Sequence, residues 1–224
     1  MAVVTGMPLR AVAAMMCLAA LGNAPALAQS AADAGGAPVC PVPDDLTSGI
    51  RAEYADGGTV EIRAAGPGEI AFVETAPEAG PDDPGLSFLS RLGLYDTEVW
   101  ETTGALAANP DRMLRYDYTE DPAKLPSPVS GESWLGGVTT IWPDGSRGCE
   151  TAVYVFGRTD RRTIGGCEYV AMPVKASFMQ GDDWVAQDFL YFPDLGFAVA
   201  TGINDNDRAQ PFWRALARMT PIAR

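Results

Sequence analysis

From Ile50 onward the chain consists of short apolar or alternating runs broken by turn-forming Gly, Pro, Asp and Asn. The pieces "IRAEYA", "TVEIRAA" and "EIAFVETA" alternate or run apolar, and Asp56-Gly57-Gly58 and Gly66-Pro67-Gly68 separate them. That texture predicts a β-meander. "LSFLSRLGLY" (86–95) reads equally as a short helix or a strand. "TEVWETT" and "RMLRYDYTE" read as strands on either side of an Ala/Asn/Pro loop.

The second half repeats the theme. "ESWLGGVTTIW" and "GCETAVYVFG" flank Pro143-Asp144-Gly145, and "DWVAQDFLYF" and "GFAVATG" flank Pro193-Asp194-Leu195. In such turns Pro presets one backbone angle, Asp tolerates the next, and Gly takes the left-handed position. After Asn204-Asp205-Asn206-Asp207 a helix is expected from Pro211 to about Met219, with Pro in its first turn and Phe212, Trp213, Leu216 and Met219 docked on the sheet. The expected fold is mainly β (α+β): a curved antiparallel sheet or half-open barrel of roughly eight to ten strands with a C-terminal helix.

The amino terminus sets the compartment. Arg10 precedes an uncharged apolar run from Ala11 to Leu21, then Gly22, Pro25 and Ala26-Leu27-Ala28. This is the layout of a secretory signal over residues 1–28, cleaved after Ala28. The run falls short of the about 20 apolar residues that span a bilayer, so no transmembrane segment is expected. Starting at Met7 gives the more ordinary Met-Pro-Leu-Arg. Met16 is not the small residue that precedes a lipid-modified cysteine, which argues against Cys17 as an anchor. Residues 29–45 read as a flexible leader and 46–224 as a single β-rich domain, placed in the periplasm.

Formal charge is −13, and loss of the one Arg and no acid in residues 1–28 takes it to −14. Such a surface repels nucleic acid and anionic headgroups. There is no histidine, which removes the usual general base, the usual activator of Ser or Cys, and the usual zinc ligand.

Cys149 and Cys167 are expected to pair. Treated as one hairpin, the segment between them centres on Arg158, within Gly157-Arg158-Thr159, and places the two cysteines opposite each other. Opposed Cβ atoms lie about 4.5–5.5 Å apart, close to disulfide distance, and an oxidising compartment favours the bond. Gly165-Gly166 could host a bulge and slip the register. Cys40 is left over: free, joined to a second chain, or displacing one member of the pair.

Other chemistry is thin. The doublets Asp44-Asp45, Asp82-Asp83, Glu120-Asp121 and Asp182-Asp183 could supply the two carboxylates of a glycosidase, but most sit in turns where acids bond locally. Asn204–Asp207 offers oxygens to calcium but lacks the glycine and distal Glu of an EF-hand loop. "GESWLGG" is not G-x-S-x-G, and neither Lys124 nor Lys175 stands three residues after a serine. Arg161-Arg162 is a small basic spot. Trp134, Trp142, Trp184, Tyr191 and Phe192 cluster in the strand-rich half. Aromatics in strands usually fill a core, and these could instead line an apolar cavity in a curved sheet.

The run from Arg162 to Thr201 resembles the carboxy-terminal half of uncharacterised exported alphaproteobacterial β-proteins. Thr163, Gly166, Cys167 and Tyr169 match one strand motif, and Tyr191, Pro193, Leu195 and Gly196 match a following "Y-x-P-x-L-G". A more distant likeness is to the lipoprotein-carrier type of curved antiparallel sheet closed by a helix. The resemblance implies fold and compartment and brings no catalytic residue. Three readings follow: a non-enzymatic exported β-domain binding a lipophilic or peptide ligand or an envelope partner; a carboxylate-based hydrolase of envelope glycans; and an accessory protein whose surface alone matters. No cofactor or metal is implied.

Overall fold

The computed structural model describes residues 37–80, 83, 85–102 and 112–223. The signal segment 1–28, Asp82, and the loop after Thr102 lie outside them. All strands belong to one antiparallel sheet: β1 (Ile50–Tyr54), β2 (Thr59–Gly66), β3 (Glu69–Thr75), β4 (Gly85–Arg91), β5 (Tyr95–Thr102), β6 (Leu114–Tyr118), β7 (Ser133–Ile141), β8 (Arg147–Phe156), β9 (Asp160–Ile164), β10 (Cys167–Gln180), β11 (Asp183–Phe192), β12 (Phe197–Asp205), β13 (Phe212–Trp213) and β14 (Leu216–Pro221). The order is β13-β12-β11-β10-β8-β7-β6-β5-β4-β3-β2-β1-β14, with β9 beside β10, and the sheet does not close.

The expected meander is β1–β3, and both predicted hairpins form. Ile141 pairs with Arg147 across Pro143-Asp144-Gly145, and Phe192 with Phe197 across Pro193-Asp194-Leu195. Gly145 and Gly196 take φ of 82° and 78°, the left-handed positions those turns require. The ambiguous 86–95 stretch is β4, a tight turn at Leu92-Gly93, and the start of β5. Leu92 holds a φ of 56° because its N–H donates to Gly68 and its carbonyl accepts from Ala198. A Cβ on Gly93 would lie 2.5 Å from the Ala198 carbonyl oxygen, so glycine is required there.

The sheet curls over itself. Ile50, Ile62 and Phe72 of β1–β3 pack against Leu190, Phe192, Phe197 and Val199 of β11–β12. Intervening residues Phe189, Tyr191 and Ala198 face the opposite way, onto Tyr95, Val138, Ala152, Tyr154 and Val174. The β11–β12 hairpin is therefore covered on both faces. That explains why "FLYF" (189–192) is continuously buried while β8, covered on one face, alternates strictly.

Three expectations are corrected. The described residues form 14 strands, because β9 turns back on β10 at Gly165-Gly166 and because β13 and β14 stand where a helix was expected. No C-terminal helix forms. Residues 211–221 become β13 and β14, and β14 pairs with β1 from Ile50↔Pro221 to Tyr54↔Leu216. A nine-residue helix has little stability alone, whereas the strand covers the edge of β1 and brings Arg214 to Asp56 and Glu74. Third, the disulfide joins Cys40 to Cys167, with Cα atoms 5.7 Å apart. Cys149 is an exposed free thiol beside Thr139.

The pairing error traces to Gly165-Gly166. With φ of 58° and 83° these two glycines are the hairpin turn itself, joining Ile164 to Cys167. β8 instead lies along the far half of β10, with Thr151 opposite Met179. Cys149 and Cys167 thus stand at opposite ends of β10, on the order of 40 Å apart along the strand. The Cys40 bridge fixes the chain before β1 onto the β9–β10 turn. Just after it, a 3-10 turn at Pro43–Thr47 buries Leu46.

Candidate functional site

Between β4–β8 and β10–β12 the curled sheet forms a partly open cavity of ≈ 70 Å³. Leu86, Phe88, Leu94, Val99, Phe178, Val185 and Ile203 supply most of its wall, and Asp96, Tyr116, Tyr118, Thr140, Glu150 and Gln187 supply its polar groups. Trp142 completes it. Its ring occupies space that Gly148 leaves open, since a Cβ there would lie 2.6 Å from the indole. The Trp142 Nε1–H is buried without a hydrogen-bond partner.

The five aromatics singled out from sequence divide. Trp142 lines the cavity. Trp134 joins a ring cluster next to it, 5.7 Å from both Tyr95 and Tyr154, and Tyr154 stands 6.0 Å from Phe178 of the wall. Tyr191 and Phe192 are core residues on opposite faces of β11. Trp184 is half-buried at the start of β11, where its N–H donates to Asn206 Oδ1.

Among the described residues, no member of the acidic doublets lines the cavity. Asp45 and Asp121 accept from local backbone N–H groups, Asp183 accepts from the Asn206 amide, and Asp205 pairs with Arg208 at 2.8 Å. Among the described residues no group of three or more acids and cysteines could hold a metal. The two acids that do line the cavity were not singled out. Glu150 accepts from Thr140 Oγ1 at 2.7 Å, and burial pushes its carboxyl up despite that bond. Asp96, opposite Ser90 in the β4–β5 ladder, is half-buried and lines the cavity, and burial pushes it up to about 7 against a weaker opposing contact from Ser90. Burial likewise raises Tyr116, Tyr118 and Tyr154. The Tyr154 hydroxyl donates to the Leu94 carbonyl at 3.0 Å.

Glu150 was legible in principle. It is an acid at an inward position of a strictly alternating strand, with Gly148, Ala152, Tyr154 and Phe156 on the same face. Asp96 was not, because a register shift between Leu89 and Ser90 resets the parity of β4 against β5.

A pH dependence follows from Asp96. Its folded pKa of about 7 exceeds the unfolded value of about 3.9, so folding holds the carboxyl neutral. The penalty is absent below about pH 4, grows as pH rises, and is complete above about pH 7. Asp96→Asn should therefore raise unfolding free energy by about 2–4 kcal/mol relative to wild type at pH 8 and by little at pH 4. Urea unfolding of both proteins at the two pH values checks this. Equal differences at both would contradict it.

Comparison with known proteins adds a weak likeness of fold. No family model matches the sequence, and no curated protein matches it. The crystal structure of the hypothetical lipoprotein YmcC from Escherichia coli (K12) resembles this chain with a TM-score of 0.40 and 8% identity, over 69% of this chain and 77% of that one. At that level nothing about a site carries across.

Proposed function

We propose that this chain is an exported, non-enzymatic β-domain that binds a small, largely apolar ligand with a hydrogen-bonding head inside its curled sheet. The observation that supports this most is the pocket itself. Its wall is mostly apolar, and Asp96, Glu150 and Gln187 are among the residues that line it. Export rests on the signal layout of residues 1–28. A disulfide suits an oxidising compartment, and among the described residues no helix is long and apolar enough to cross a membrane.

The carboxylate-hydrolase reading has one observation in its favour, Asp96 and Glu150 in one cavity. One feature weighs against it: the pocket of ≈ 70 Å³ has room for about five waters, far less than a glycan unit needs.

The test is thermal unfolding with 1-propanol and propanoic acid, small enough for a pocket of ≈ 70 Å³, as probes, for wild type and Val99→Phe. Val99 lines the cavity, and a Phe there fills it. Saturating probe at a hundred times its Kd should stabilise wild type by about 2.7 kcal/mol and leave the variant unmoved. Equal responses from both proteins, or none from wild type, would count against an interior site.

A further inference from the structure

The charge of the cavity between β4–β8 and β10–β12 is one-sided. Asp96 of β5 and Glu150 of β8 line it, and among the described residues that line it there is no Lys or Arg. The contacts the two carboxylates make are neutral ones, Asp96 with Ser90 and Glu150 with Thr140 Oγ1 at 2.7 Å. Beside the wall Asp205, opposite Val185 in the β11–β12 ladder, already holds Arg208 at 2.8 Å. Burial with no cation beside them pushes both cavity acids up.

The rest of the wall is aromatic or aliphatic. Phe88, Tyr116, Tyr118, Trp142 and Phe178 contribute rings. Burial raises the Tyr116 phenol first, and Asp96 and Glu150 raise it further, so this ring lies within electrostatic reach of both acids. A carboxylate head would meet two like charges in this space. An alkylammonium brings three N–H donors and no acceptor, and Asp96, Glu150 and Gln187 offer acceptors for them. Aromatic rings attract a cation through their quadrupoles, and Leu86, Leu94, Val99 and Ile203 suit a short alkyl tail.

We propose that the cavity selects a small primary alkylammonium ion over the corresponding alcohol or carboxylate, with Asp96 as its counter-ion. This rests on the reading of the cavity as a ligand site and adds the charge of the ligand's head. The cation competes with a proton for Asp96, which is neutral below about pH 7, so binding weakens as pH falls. Of the other titratable groups in the wall, Tyr116 and Tyr118 stay neutral below that pH, being raised by burial. Glu150, also raised by burial, acts in the same direction as Asp96.

The probes are n-propylammonium chloride, 1-propanol and sodium propanoate, titrated in about 0.15 M NaCl to screen the acidic surface and followed by NMR at the Trp142 Nε1–H. At pH 7.5 the ammonium should bind at least tenfold more tightly than either other probe, and its affinity should fall at least tenfold by pH 5. Asp96→Asn, which keeps the side chain's shape and removes its charge, should weaken ammonium binding at least tenfold and leave 1-propanol binding within about threefold. Val99→Phe should abolish both. Equal binding of ammonium and alcohol, or tighter binding of propanoate, would overturn the cation selectivity and leave the interior site standing. So would ammonium binding that survives Asp96→Asn or Val99→Phe, which marks capture by the acidic surface. No response to any of the three probes would overturn the site and its selectivity together.

Discussion

Arg214→Met is expected to lower unfolding free energy by about 3–5 kcal/mol at pH 8. The guanidinium sits 3.9 Å over the Tyr54 ring, donates to Asp56 at 3.1 Å and donates to Glu74. Its own backbone N–H donates to Thr201, so one residue ties the last strands to β1, β3 and β12. Arg214 and Glu74 side chains are 12% and 17% exposed, which makes this a largely desolvated pair rather than a screened surface one. Burial already pushes Glu74 up, with Arg214 pulling against it. Without Arg214 the carboxyl rises further and takes up a proton, so the loss should be smaller at pH 5 than at pH 8. The double variant Arg214→Met/Glu74→Leu should recover most of the stability, because the more deeply buried carboxylate leaves with the cation and only Asp56, whose side chain is 32% exposed, loses its partner. Gly58→Ala should mimic the loss, since a Cβ there would lie 1.9 Å from Arg214 Nη2. Urea unfolding of these variants at the two pH values is the check, and a neutral Arg214→Met would contradict the clamp.

Opening the disulfide should have a comparable effect. Cys40 and Cys167 are 127 residues apart in sequence, and a loop of that length implies up to about 5 kcal/mol of stabilisation through the unfolded chain. Cys40→Ser and Cys167→Ser should each cost about 3–5 kcal/mol, and Cys149→Ser less than about 0.5. Guanidinium unfolding of the three variants separates the observed pairing from the one expected on sequence. A large loss from Cys149→Ser would contradict the Cys40–Cys167 bridge.

What was legible in the chain was local. Turns with their own chemistry, such as Pro143-Asp144-Gly145 and Pro193-Asp194-Leu195, announce themselves, and so do strands with one buried face, such as β8. What failed depended on distant partners. Gly165-Gly166 suits a bulge or a turn equally, and only the register of β8 on β10 decides between them. Residues 211–219 have apolar spacing compatible with a helix, and the open edge of β1, 160 residues earlier, converts them to strand. The cavity combined both cases. Trp142 was found because it is aromatic, while Asp96 was missed because a bulge hides which face it occupies.

Ligand binding inside the sheet is tested most directly by native mass spectrometry of the mature protein isolated from an oxidising periplasm, before and after denaturation, beside Val99→Phe. A small amphipathic adduct on wild type, released on denaturation and absent from the variant, is the expected result. Bare wild-type protein, or the same adduct on both, would contradict it.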